Sequence, residues 1–137
     1  MKNKILIVGG AGYIGGPLTD VLLDDNFEVT IYDNLLYEDR YLKQANFIFG
    51  DVRDQKKLAK IINNYDSVVW LAGIVGDQAC AIDTKTTQQV NFDSVKWLVD
   101  NYKGKIIFTS TCSIYGVNND LINESAEPNP LSFYASS

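Results

Sequence analysis

Glycine spacing carries the sharpest chemical signal in the chain. Gly9, Gly12 and Gly15 fall as G-x-x-G-x-x-G, directly after the apolar run Ile5-Leu6-Ile7-Val8 and directly before a helical pattern. Such a turn aims backbone N–H groups and the positive end of a helix at a phosphate. Gly9 permits the tight turn out of a strand, and Gly12 lets the backbone come close to a pyrophosphate. Gly15 lets the helix pack tightly on the sheet. Tyr13 and Ile14 lie between them, on the edge that a bound dinucleotide would touch.

Acids follow at two further strand ends. Asp33 closes the second apolar run, near the offset at which a carboxylate accepts both hydroxyls of an adenosine ribose. A carboxylate there repels a 2′-phosphate, so NAD is expected rather than NADP. Asn34 follows it, while Arg40 and Lys43 stand further along the chain. The third run leads into Gly50-Asp51-Val52-Arg53-Asp54. There Asp51 can accept a hydrogen bond from an adenine amino group, and Val52 can pack on the ring. The fourth run leads into Leu71-Ala72-Gly73-Ile74-Val75-Gly76, small enough to leave room for a cofactor crossing the strand ends. After the fifth run come Ser110, Thr111, Cys112 and Ser113, small polar side chains that read as a substrate-facing ledge.

Other chemistries are excluded by what the 137 residues lack. Histidine is absent, which removes Ser-His and Cys-His nucleophile pairs and imidazole metal ligands. The two cysteines, Cys80 and Cys112, form no CxxC pair, so neither a thiolate metal cage nor a dithiol redox centre is expected. A reduced, cytoplasmic setting follows from that usage. The net charge is −5 and no Lys/Arg stripe occurs, which argues against a nucleic-acid polymer or an anionic membrane as partner. The apolar run before Gly9 is too short for a signal peptide, and no stretch approaches the ~20 apolar residues of a membrane span.

The elements that must position these residues alternate along the chain. Strands are expected at 4–8, 27–32, 46–49, 67–71 and 105–109, rich in β-branched and aromatic residues. A helix with Ile14, Leu18, Val21 and Leu22 on one face follows the first, with Pro17 in its first turn. Asp54 can cap a helix burying Leu58, Ile61 and Ile62. A longer helix is expected over about 84–102, repeating Val90, Ser94, Trp97 and Leu98, with Gly104 just past its end. Residues 117–137 have no period and read as loop. Alternating strand and helix means an α/β fold with a parallel sheet, here a single domain over 1–137.

Taken in order, the glycine loop, Asp33, Gly50–Asp54, Leu71-Ala72-Gly73 and Ser110–Gly116 resemble the NAD-dependent epimerase/dehydratase family, the extended short-chain dehydrogenases. The resemblance covers the entire chain. It implies a Rossmann-type doubly wound parallel sheet of about five strands, order 3-2-1-4-5, incomplete relative to the family. It implies NAD as cofactor, with Ser110 among its contacts, and a nucleotide-sugar substrate. Tyr134 would be the catalytic acid/base as hydride moves to or from the nicotinamide. Thr111 would hydrogen-bond the same sugar hydroxyl, and Val75, Gly76, Cys112 and Ser113 would face the sugar. The family's 4,6-dehydratases hold Asp and Glu where Cys112 and Ser113 stand, which leaves epimerase or reductase. Asn91 matches a helix asparagine that organises backbone and water near the site. Trp70 replaces a histidine, a change of packing.

In the family a lysine would follow Ser137 directly, and a sugar-binding portion would come after it. A tyrosine in water has a pKa of about 10, so ~1 in 1,000 is ionised at neutral pH. A neighbouring Lys cation lowers that value. The chain is therefore expected to be the N-terminal, cofactor-binding part of an NAD-dependent epimerase or reductase, inactive alone. Alternatives are a non-catalytic NAD-binding module and a degenerate remnant that folds poorly. A homodimer through the 84–102 segment is the partner expectation.

Overall fold

Five runs of β-branched and aromatic residues form parallel strands: β1 (Lys4–Val8), β2 (Glu28–Asp33), β3 (Asn46–Phe49), β4 (Ser67–Trp70) and β5 (Lys105–Phe108). The computed structural model describes residues 2–137 and places them in the order β3-β2-β1-β4-β5. Val8 lies opposite both Tyr32 and Trp70, and Asp33 lies opposite Phe49. The strands therefore finish nearly level, and the loops that leave them share one edge. Strand order reverses between β1 and β4, the place where an open parallel sheet leaves a crevice.

Both faces of the sheet are covered, which is why the strands read as continuous apolar runs. Leu6, Val8, Tyr32, Val68 and Trp70 pack with Leu58, Ile62, Leu98 and Tyr102. Ile5, Ile7, Val29, Ile31 and Val69 form the other face, with Leu18, Leu22 and Phe27 against it. Trp70 is wholly buried among these residues, a packing role. β5 is an edge strand, and its Ile107 and Phe108 are 44% and 49% exposed.

The helices are α1 (Gly15–Asp24), α2 (Gln55–Ala59), α3 (Asp77–Ile82), α4 (Thr84–Thr87), α5 (Ser94–Asn101) and α6 (Phe133–Ser136). A wide π-helical segment, Gln88–Asp93, joins α4 to α5. Asp54 caps α2 as expected, its carboxylate accepting from the Lys57 N–H at 3.0 Å.

Four local expectations need correction. On α1, Ile14 and Val21 are 61% and 58% exposed rather than buried. The buried residues of this helix are Gly15 and Thr19 instead, and the Thr19 hydroxyl donates to the Gly15 carbonyl at 2.7 Å. The helix expected through Leu58, Ile61 and Ile62 breaks after Ala59 and resumes as a 3-10 turn, Ile62–Asn64, which still buries Ile62. Gly104 is not a left-handed cap. Tyr102 ends α5 in extended conformation, and its hydroxyl would lie 2.1 Å from a Cβ on Gly104. The aperiodic reading of 117–137 fails at its end, where the Ser132 hydroxyl accepts from the Ala135 N–H at 3.1 Å and caps α6.

Gly50 illustrates how tightly the strand ends are packed. A Cβ there would sit 2.3 Å from Cζ of Tyr32, a ring with no exposed surface. Gly50→Ala is expected to cost about 1–3 kcal/mol through overpacking. The measurement is the urea midpoint, which should fall without a change in slope.

Candidate functional site

The glycine turn is built by contacts that exclude other residues. Gly9 has φ +80°, and a Cβ on it would lie 2.4 Å from the Ala72 backbone nitrogen. A Cβ on Gly15 would lie 2.3 Å from the Gly10 carbonyl oxygen. Gly15 thus serves closeness to the loop's own backbone, and not packing on the sheet as the spacing suggested. Gly12 is different: a Cβ there would meet only the Gly9 carbonyl, at 3.5 Å, so this position opens onto the crevice. The N-terminus of α1 has no side-chain cap and no acid in its first turn. Its backbone dipole is therefore not neutralised from within the helix. Tyr13, 97% exposed, and Ile14 stand outward beside it.

Two carboxylates flank this turn. Asp33 accepts from the Ala11 N–H at 3.0 Å and from the Leu35 N–H at 2.7 Å. It thereby ties the end of β2 to the glycine loop, and each oxygen keeps acceptor capacity. Leu35 is left-handed, φ 54°, in a residue type that rarely tolerates it. Asp51 is gripped by Arg53, whose Nε and terminal nitrogen reach its two oxygens at 2.9 and 2.7 Å. That guanidinium holds the Asp51 carboxyl below its ordinary pKa, against the opposing effect of partial burial. The Tyr32 hydroxyl donates to the Asp51 carbonyl at 2.8 Å. Burial, then Asp54 and Asp51, push the Tyr32 pKa up to about 12, so it remains a donor at neutral pH.

Between these elements lies a cavity of about 220 Å³. Of the residues singled out from sequence, Gly9, Gly12, Asp33, Asn34, Asp51, Val52, Leu71, Ala72, Gly73 and Ile74 line it. Tyr13, Ile14, Gly15 and Ser110 are not among its lining residues. Sequence reading missed Leu35, Leu36, Tyr37 and Glu38 on one wall and Thr86 and Val90 on another. It also passed over Arg53, although the Asp51-Val52-Arg53 spacing was a usable signal.

Asn91 lies within the π-helical segment, where the wider turn changes the helical register. Its Oδ1 accepts from the Ile74 N–H at 2.8 Å, and its Nδ2 donates to the Ile74 carbonyl at 2.9 Å. Nδ2 also reaches the Ser137 hydroxyl at 3.2 Å. The Cys80 thiol donates to the same Ile74 carbonyl at 3.2 Å, and burial pushes its pKa up. Asn91→Leu would strand the part-buried Ile74 N–H and cost about 1–3 kcal/mol. Hydrogen exchange should then accelerate at Ile74 before it does so in β1.

The ledge after β5 turns back on itself. The Thr111 hydroxyl accepts from the Ser113 N–H at 3.2 Å and lies 3.1 Å from the Ser113 hydroxyl. This caps a 3-10 turn, Cys112–Tyr115, which leaves Cys112 and Ser113 exposed, as is Ser110. α6 packs against α3 and against this turn, which brings half-buried Tyr134 to the same region as Thr111. Val75 is 68% exposed, and Gly76 (φ +95°) has open space where a Cβ would be.

The arrangement fits a dinucleotide. Gly12 leaves a backbone cradle open at the dipole end of α1. Carboxylate acceptors stand at the two adjacent strand ends, and Val52 adds an apolar wall.

Comparison with known proteins points the same way. Residues 5–137 match the NAD dependent epimerase/dehydratase family. A UDP-N-acetyl-alpha-D-glucosaminuronate decarboxylase of Bacillus cytotoxicus is 31% identical, over 85% of this chain and 39% of that protein. A UDP-glucose 4-epimerase of Klebsiella pneumoniae is 28% identical, over 90% of this chain and 89% of that protein. The crystal structure of UDP-glucose 4-epimerase from Brucella ovis in complex with NAD superposes with a TM-score of 0.89 at 28% identity. It matches 98% of this chain, which spans 44% of that structure's length.

Proposed function

Because the chain belongs to the NAD-dependent epimerase/dehydratase family, we propose that it is the cofactor-binding part of an NAD-dependent nucleotide-sugar epimerase or reductase. One observation carries this reading. The Asp33 carboxylate is fastened to the glycine loop through the Ala11 N–H, beside the open cradle at Gly12. Pyrophosphate and ribose recognition are thus joined in one rigid unit.

Each residue has a role in this reading. Gly9, Gly12, Tyr13, Ile14 and Gly15 form the pyrophosphate edge at the start of α1. Asp33, with Asn34, accepts the adenosine ribose hydroxyls and disfavours a 2′-phosphate. Asp51 and Val52 receive the adenine. Leu71, Ala72, Gly73, Ile74 and Ser110 border the path toward the nicotinamide end. Bound NAD supplies the acceptor and donor of hydride. Tyr134 takes the proton of a sugar hydroxyl and returns it, and Thr111 orients that hydroxyl. Val75, Gly76, Cys112 and Ser113 face the sugar. No acid stands at 112 or 113 to serve an elimination, which weighs against a 4,6-dehydratase.

The sugar-nucleotide class rests on the relatives, whose names specify UDP-sugars. The activity belongs to the complete protein, since the chain spans less than half of the Brucella structure. Free Cys80 and Cys112 suit a cytoplasmic setting. Among the described residues no helix is long and apolar enough to cross a membrane. Exposed Phe92 and Val99 along the segment from α4 to α5 support a homodimer contact there.

The test is a panel of UDP-sugars offered to the complete gene product with NAD. The expected result is epimerisation of one of them with NAD⁺, or reduction of a keto form when NADH is supplied as the hydride donor. A folded, NAD-loaded protein that turns over none would favour the non-catalytic module.

A further inference from the structure

We propose that Arg53 is a positioning residue that sets the plane of the Asp51 carboxylate, and so makes the site select an adenine dinucleotide over its hypoxanthine counterpart. The inference rests on the NAD-binding reading above and deepens it.

Asp51 is held at both of its ends. Its carboxylate receives three donors from Arg53: the backbone N–H at 2.8 Å, Nε at 2.9 Å and a terminal nitrogen at 2.7 Å. Its carbonyl receives the Tyr32 hydroxyl at 2.8 Å. The residue before it must be glycine, because the Tyr32 ring fills the space of a Cβ. An aspartate side chain with one neighbour turns broadly about its last torsion. A two-point guanidinium fork removes that freedom and fixes a plane. Oδ2 takes a single bond in the fork, so acceptor capacity remains on it.

The fork sits on the wall of the cavity, with Asp51 and Val52 beside it. Adenine presents an amino donor where hypoxanthine presents a carbonyl oxygen. A carboxylate locked in place accepts from the first and opposes the second. A mobile carboxylate can swing away, and the distinction weakens. Lysine keeps the charge of Arg53 and loses the fork.

The experiment is calorimetric titration of the chain with NAD and with nicotinamide hypoxanthine dinucleotide, for the unmodified protein, Arg53→Lys and Arg53→Ala. A thermal melt of each accompanies it. The unmodified chain should prefer NAD by about 10-fold or more, the scale of one hydrogen bond to a charged group. Both variants should bring that ratio to within about 3-fold, mainly by weakening NAD. If Arg53→Ala does not fold, Arg53→Lys decides the matter. A ratio unchanged in the variants overturns the role of Arg53 and leaves NAD binding intact. An equal loss for both dinucleotides also overturns it, since Arg53 would then act on the fold. An unmodified chain that binds neither dinucleotide overturns the reading of the site itself.

Discussion

Replacing Tyr134 with phenylalanine is expected to lower turnover by the complete enzyme about 10²–10⁴-fold, the usual contribution of a positioned acid/base. The change removes one hydroxyl and keeps the ring. The α6 turn should survive it, because its cap is the Ser132 hydroxyl on the Ala135 N–H, and Tyr134 contributes only its carbonyl, to Ser137. The loss should therefore fall on kcat, with KM and NAD affinity little altered. Thr111→Val removes a neutral hydrogen bond of about 1 kcal/mol and should cost only about 5- to 10-fold. Steady-state kinetics of both variants with the preferred UDP-sugar would check this. Turnover that persists in the Tyr134→Phe protein would remove Tyr134 from the chemistry.

The second large effect belongs to Asp33. Asp33→Ala is expected to raise the Kd for NAD about 10²–10³-fold, the cost of losing charge-assisted bonds of about 1.5–3 kcal/mol each. Geometry adds to that loss. The Ala11 N–H and the Leu35 N–H both end on this carboxylate, so its removal also loosens the glycine loop and the left-handed turn at Leu35. Asp33→Asn separates the two contributions. It keeps an acceptor and removes the charge, so NAD should weaken less while NADP is no longer repelled. Titration of each variant with both dinucleotides would show whether the NAD preference collapses as expected.

Strands were legible as unbroken apolar runs, and β1, β2 and β4 are buried on two faces. An unbroken run such as Ile5-Leu6-Ile7-Val8 has few other uses in a chain of this size. Their ends were legible too, and with them Asp33 and Asp51. The face of α1 was misread because apolarity marked Ile14 and Val21, whereas the buried positions are Gly15 and Thr19. Thr19 satisfies its hydroxyl within the helix, which no periodicity reveals. The walls formed by Leu35–Glu38 and by Thr86 and Val90 come from segments far apart in sequence, so spacing could not join them. Asn91 was singled out by resemblance alone. Its grip on both sides of the Ile74 peptide depends on the π-helical register of Gln88–Asp93, which has no pattern of its own.

Length was equally ambiguous in isolation. The 137 residues suffice for a five-stranded sheet with covered faces, and the chain still spans only 44% of the Brucella epimerase structure. What the chain holds complete is the crevice at the β1/β4 reversal. The most direct measurement is therefore calorimetric titration of the folded chain with NAD and then with NADP. A single NAD is expected to bind per chain, with NADP weaker by at least about 10-fold, the scale of a repelled phosphate beside Asp33. Absence of heat with NAD in a sample that melts cooperatively, or equal binding of NADP, would contradict this.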